Sequence, residues 1–381
     1  MWPRAVRREE RDPLRRLAND ARGDRGVVPR GERGLARGDL FVRHALPVAE
    51  GSLSAVRILV LGPRFADGFA DNVAETLVEM GHEVLGAAEV DHAAYWSVPR
   101  RALRMVEERV FGDAPLPQDR KLLRLAKDRR PDVLLALTWD VHPEILDELG
   151  AIVPGRRILW WGDAPANSRR FGLVNPFWDK VYVKDPDAVK KLRLAGKETA
   201  LLHEAMNPRW HRPLARQTSD AVVVAGNYYA FRQAVLSRLL RDGARLELYG
   251  AEPPPWSAKE IRASFSGKYV VREEKSRVFG SGMVCLNTFA LAEGNSLNCR
   301  AFEIAGAGGL ELVEFRPTLL QCFEPGKEVL AFETYEELWG HLEHARRFPA
   351  DMLPIREAGA RRALAEHTYR HRLEKILADL R

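Results

Sequence analysis

The strongest constraint on this chain is an alternation of short apolar runs with helical stretches, many of them closed by glycine, that is played through twice. The apolar run 57–61 ends at Gly62-Pro63. Residues 71–80 follow, with Val73, Leu77 and Met80 at helical spacing before Gly81. Residues 82–90 read as a second strand and 92–130 as a basic helical stretch. The unbroken apolar run 132–137 reads as a buried parallel strand. Residues 143–149 give a helical turn or two, 157–161 and 180–183 strands, and 186–194 a helix stopped by Gly196. A polar segment with two prolines, 207–214, interrupts the pattern, which then restarts. Strands are expected at 221–225, 245–249, 284–286, 310–313 and 329–332, and helices at 231–241, 298–307, 335–347 and 354–366. Strands and helices alternating at this spacing predict parallel, doubly wound sheets. The expected fold class is therefore α/β: two Rossmann-like parallel-sheet domains, 56–205 and 206–381, facing a central cleft.

Composition narrows the remaining classes. With 46% hydrophobic and 29% charged residues, the 381-residue chain is neither wholly disordered, collagen-like nor a small disulfide scaffold. It has no apolar run near the roughly 20 residues that span a bilayer. Its first residues mix acids with arginines and lack the apolar core of a secretory signal. Cys285, Cys299 and Cys322 are odd in number and have no paired metal spacing, so they are expected to be reduced thiols in a cytoplasmic protein. Net charge is +6, and residues 1–55 carry 12 Arg, no Lys and 8 acids, hence +4 (12 − 8). The excess thus sits in a tail poor in aromatics and without periodicity, which is expected to be disordered. Nucleic-acid or anionic-lipid binding by that tail is the alternative; it predicts that deleting 1–55 abolishes function.

Candidate binding residues concentrate in the second half. Gly226-Asn227 follows a strand and precedes a helix carrying Arg232. Glycine there lets backbone N–H groups approach an anion, the helix start adds a favourable dipole, and Arg232 suits a phosphate. An ordinary strand-to-helix turn with a solvated arginine is the competing reading. The first strand is not followed by G-x-G-x-x-G, and no Walker sequence is present, which argues against a dinucleotide oxidoreductase and a P-loop enzyme. The densest cluster is 293–309. Ser296 or Asn298 suits the N-cap of a helix, and Asn298, Arg300 and Glu303 offer amide, cation and carboxylate within two turns. A carboxylate is the usual acceptor for a ribose diol; a glycine-rich packing helix is the competing reading.

The second half resembles the CgeB-like, glycosyltransferase group 1-type family of GT-B enzymes. The resemblance rests on Asn298-x-Arg300-x-Phe302-Glu303-x-x-Gly306-x-Gly308, Phe323-x-x-Gly326-Lys327-Glu328-Val329, Tyr335-x-Glu337-Leu338 and Ala358-Gly359-x-x-Arg362-x-Leu364-x-x-His367-Thr368-Tyr369-x-His371-Arg372. Gly226-Asn227 with Arg232, and Cys285-Leu286-Asn287, also look like this family. The first half is similar more loosely, through Trp160-Trp161-Gly162-Asp163-Ala164-Pro165 and Asp179-Lys180-Val181-Tyr182. The resemblance implies a GT-B fold and transfer of a sugar from a nucleotide-diphosphate sugar, uridine-based by family analogy, to a hydroxyl acceptor. The first domain would hold the acceptor and the second the donor. It further implies that Glu303 takes the ribose hydroxyls and that Arg232 and Lys275 face the diphosphate. Asn298 and Arg300 would line the sugar or phosphate, with Gly226, Asn227, Asn287 and Asn295 beside them. The start of the helix near 298 would stabilise the leaving diphosphate. No metal and no resident cofactor are implied; the nucleotide sugar is a co-substrate. Many retaining relatives carry two glutamates eight positions apart, the second matched by Glu303. Asn295 stands where the first would be, and Glu293 is near but out of register.

On the acceptor side, Asp163 at a strand end is a candidate general base or acceptor contact, with a loop cap as its alternative. Asp140 and His142 form a second candidate, with an N-cap ahead of Pro143 as the alternative. Trp139, Trp160 and Trp161 are candidates to stack on a sugar, at least one of them being core. His203 and Glu204 lie at the domain boundary within reach of the cleft, with a structural histidine as the alternative for His203. His367, Thr368, Tyr369 and Arg372 are expected to pack and cap. Two other functions fit the same scaffold. A nucleotide-sugar 2-epimerase would interconvert donors without an acceptor. A catalytically silent glycan- or nucleotide-sugar-binding surface-layer protein would bind without hydrolysing the donor.

Overall fold

The computed structural model describes residues 55–86, 103, 106, 110, 117–138, 141–168 and 172–380. The expected tail, the end of the second predicted strand, Trp139 and Asp140 lie outside these residues. Two parallel sheets are present, as expected. The first has six strands, β1 (Arg57–Leu61), β2 (Glu83–Gly86), β3 (Val133–Leu137), β4 (Arg157–Trp161), β5 (Lys180–Val183) and β6 (Thr199–Leu201), in the order β2-β1-β3-β4-β5-β6. The second has five, β7 (Val222–Gly226), β8 (Leu246–Gly250), β9 (Val284–Asn287), β10 (Glu311–Glu314) and β11 (Leu330–Phe332), in the order β11-β10-β9-β7-β8.

Side chains alternate across each sheet, so one strand feeds two cores. In β3, Leu134 and Ala136 join the core under the helices Pro117–Arg129, Pro143–Ile152 and Pro186–Leu194. Val133, Leu135 and Leu137 join the opposite one, against the helix Phe69–Glu79. All five are buried; a strand covered on both faces has no polar alternate residue, which is why this one reads as an unbroken apolar run. Trp160 and Trp161 are buried on opposite faces, donating to the Leu202 and Ala164 carbonyls. Neither is available to stack on a sugar.

The domain division needs one correction. The last helix, Tyr369–Ala378, was expected to stay with the second domain. Its Tyr369, Leu373, Ile376 and Leu377 instead pack on the first sheet with Ile58, Val60 and Trp160. Thr368 caps this helix in a reciprocal capping box with His371. The Tyr369 N–H donates to the Met206 carbonyl, and the Met206 N–H to the His367 carbonyl, across the domain boundary. The polar segment 207–214 is likewise pinned: Asn207 is buried and donates to Asn72 of the first domain, while its own N–H donates to His211 Nδ1.

Candidate functional site

In each sheet the strand order reverses at one point, between β1 and β3 in the first and between β7 and β9 in the second. Ligands in parallel α/β sheets bind beyond the carboxyl ends of the strands at such points. A cleft of about 200 Å³ opens there between the domains. Its first wall is the loop after β1, Phe65 to Phe69. Its second is built from Gly226, Gly250, Tyr269 and Lys275, with Cys299, Arg300 and Glu303 at the start of the helix Cys299–Gly306.

Lys275 lines the cleft from the helix Arg272–Ser281. Its ammonium is 2.7 Å from Asp67 Oδ2, across the cleft, and 2.9 Å from Glu303 Oε1. Burial opposes the charge on Lys275, but the two carboxylates hold its pKa well above the ordinary lysine value. The same pairing lowers Asp67, against its own burial, with help from Lys275 and then His211. His211 Nδ1 accepts from Asn207 N–H, which leaves the proton on Nε2, 3.2 Å from Asp67 Oδ1. Asp67 (φ +61°) and Arg272 (φ +51°) both hold left-handed backbone conformations, and the Arg272 N–H donates to Asp67 Oδ2 at 2.7 Å. Two locally strained residues, one from each domain, thus fix one another at the cleft.

A second cationic bridge lies along the same interface. Lys184, at the end of β5, is 3.5 Å from Glu204 Oε2 and 3.2 Å from Glu293 Oε2 of the second domain. Ser296 also donates to Glu293. Burial lifts the Glu204 carboxyl to about 7, with Lys184 pulling the other way.

The structure separates the predicted residues into three groups. Lys275, Arg300, Glu303 and Gly226 meet at the cleft. Gly226 has φ +145°, and a Cβ there would fall 2.9 Å from Arg300 Nη1, so glycine makes room for the guanidinium. The second group stands behind the cleft wall. Arg232 is buried and donates to the Asn227 carbonyl and to Thr288 O and Oγ1, tying two strand-end loops together. Burial and the nearby Arg300 lower its pKa to about 10. Arg232 is not itself among the cleft-lining residues, although its guanidinium lies beside Gly226, which is. Asn287 and Asn298 donate to one another at 3.0 Å, and Asn287 also donates to Glu311. Asn298 holds the N-cap position but its side chain makes no cap bond, because the amide pair has claimed it. The third group points elsewhere. Asn295 donates to Asp187 of the first domain. Asp163 accepts from Ala164 N–H and Asn167, closing its own turn. His142 accepts from Glu144 N–H as the N-cap of Pro143–Ile152. These two take up the capping roles that were their alternatives.

The sequence reading missed Asp67, which lines the cleft from the loop after β1, and His211, which backs it from the polar segment 207–214. Glu204, expected with His203 at the domain boundary within reach of the cleft, lies beside Lys184. Asp67, His211 and Glu303 bring possible ligand atoms within 4.8 Å of one another. The Lys275 ammonium already lies between Asp67 and Glu303 and neutralises the charge a metal would neutralise. The uncapped start of Cys299–Gly306 leaves its first N–H groups without a side-chain partner and places the positive end of the helix dipole beside Arg300 and Lys275. That arrangement suits a diphosphate, and the Glu303 carboxylate one turn further on suits a diol.

Residues 229–378 match a family described as glycosyl transferase-like. Among solved structures, the chain is similar to a sucrose-phosphate synthase from Thermosynechococcus elongatus (13% identity, TM-score 0.59), covering 85% of this chain and 99% of that one. It is similar to Anabaena HepE in complex with UDP-glucose (12%, TM-score 0.55, 85% and 100%). It is also similar to AviGT4, a glycosyltransferase involved in avilamycin A biosynthesis (15%, TM-score 0.58, 85% and 97%). Curated proteins gave no match. No helix among the described residues is long and apolar enough to cross a membrane.

Proposed function

We propose that this chain, of two-domain GT-B architecture and with residues 229–378 matching a glycosyl transferase-like family, is a glycosyltransferase that takes a uridine diphosphate sugar as donor and a hydroxyl group as acceptor, without a metal. One observation carries the donor site: Arg300, Lys275 and Glu303 converge with an uncapped helix start on the interdomain cleft. The diphosphate would lie at that helix start, where fixed cations and the helix dipole oppose the negative charge that grows as the bond to the sugar breaks. Glu303 would take the ribose diol. The choice of uridine is supported by the UDP-glucose in the Anabaena HepE structure. The sugar would extend toward Arg300 and Glu293, and the acceptor would approach from the first domain. Residues 1–55 take no part in this reading, and its cytoplasmic placement is supported by three free thiols, Cys285, Cys299 and Cys322.

The test is UDP release from UDP-glucose and UDP-N-acetylglucosamine, measured with and without a panel of hydroxyl acceptors. Release that rises with an acceptor and yields a glycosylated product supports the reading. Epimerisation of either donor at C2 without any acceptor contradicts it.

A further inference from the structure

Glu204 is a buried carboxylate of the first domain, beside the cleft-lining Phe69, that neither the family match nor the donor site accounts for. It lies just beyond β6, at the carboxyl edge of the first sheet, where acceptor chemistry belongs. Its side chain is 10% exposed. Oε2 faces Lys184 at a long 3.5 Å, and Oε1 makes no hydrogen bond among the described residues. Gly162, at the end of β4, makes room for it: a Cβ there would fall 3.0 Å from Phe69 and 3.2 Å from Glu204 Oε1. Phe69 itself lines the cleft. Glu204 and Gly162 are therefore packed beside Phe69, which shares the cleft with the start of Cys299–Gly306.

Resting on the donor site proposed above, we propose that Glu204 is the base that takes the proton from the acceptor hydroxyl. The acceptor oxygen forms its bond to the anomeric carbon as the bond from that carbon to the diphosphate oxygen breaks. The hydroxyl proton passes to Glu204 and then to solvent, and the nucleoside diphosphate leaves with the bonding electron pair. A base works best with a pKa near the working pH, and burial places Glu204 there, at about 7. The charged groups around it come from every packed element: Lys184 at the end of β5, Glu293 in the loop before the donor helix, and Arg300 and Glu303 on that helix. Cys299 and the Tyr369 phenol also face it and are raised, first by burial and in part by its charge.

Two neighbours shift Glu204 in opposite directions, and that gives the test. UDP release from UDP-glucose, with glycerol as hydroxyl probe, should fall on the acid side with a limb near pH 7. Glu204→Gln should lower the rate about 100-fold and abolish the limb, with calorimetric UDP affinity unchanged. Lys184→Met removes the cation that lowers Glu204 and should move the limb to higher pH. Glu293→Gln removes a carboxylate that raises it and should move the limb to lower pH. A merely structural Glu204 would change the rate without moving the limb. Wild-type rate and limb in Glu204→Gln, or a limb that neither neighbour moves, would overturn the assignment. UDP binding without release from any sugar nucleotide would overturn it too while leaving the donor site standing. Absence of UDP binding to the wild type would overturn the donor site itself.

Discussion

Asp67, Lys275 and Glu303 show how single residues set the cleft's behaviour. Removing the cation leaves two buried carboxylates facing one another, so Lys275→Met is predicted to cost ~3–5 kcal/mol in a urea titration. Asp67→Asn should act oppositely on ligand binding. It frees the ammonium for a diphosphate, and UDP should bind about tenfold tighter by calorimetry. The same substitution tests a pH dependence. Asp67 has a folded pKa below its ordinary value, so its contribution to stability is present above about pH 4 and lost as pH falls toward the folded value. Denaturation between pH 6 and pH 3 should show a steeper loss in the wild type than in Asp67→Asn. Glu204 has the other sign. Its folded pKa is raised from 4.5 to about 7, so it weakens the fold progressively as pH rises through that window, and Glu204→Gln should remove that decline. None of these couplings was legible in the sequence. Asp67 and Lys275 are 208 residues apart, and only the meeting of the two domains makes them partners.

At the scale of elements, most of the secondary structure was legible, because buried parallel strands are short unbroken apolar runs and their helices carry apolar residues at helical spacing. Strands 57–61, 157–161 and 180–183 and helix 335–347 stand where the pattern puts them. The helices Arg272–Ser281 and Tyr369–Ala378 were not placed, since charged residues occupy much of each and only tertiary packing selects their apolar face. That face is specific in the last helix. Leu373 is fully buried against the first sheet, so Leu373→Ala is predicted to cost ~2–5 kcal/mol although the residue follows the second sheet in sequence. The helix Cys299–Gly306 stands where expected, with Asn298 at its N-cap position but without a side-chain cap bond. Asn298 has the residue type of a cap, yet its partner Asn287 lies on a neighbouring strand, 11 positions away, and takes the amide instead.

At the scale of the whole molecule, two lysines bridge the domains through carboxylates on both sides, Lys275 to Asp67 and Glu303, Lys184 to Glu204 and Glu293. Both bridges flank the start of one helix, so whatever binds there is read by both domains at once. Residues 1–54 are predicted to be dispensable for this: a chain beginning at residue 55 should bind UDP with the affinity of the full chain. The central claim is the donor site, and the most direct measurement is a calorimetric titration of the full chain with UDP, beside Glu303→Ala, Arg300→Ala and Asp163→Ala. Binding that Glu303→Ala and Arg300→Ala each weaken tenfold or more, about 1.4 kcal/mol, and that Asp163→Ala leaves unchanged, is the predicted result. Absence of UDP binding to folded protein, or binding that the two cleft substitutions leave untouched, would contradict it.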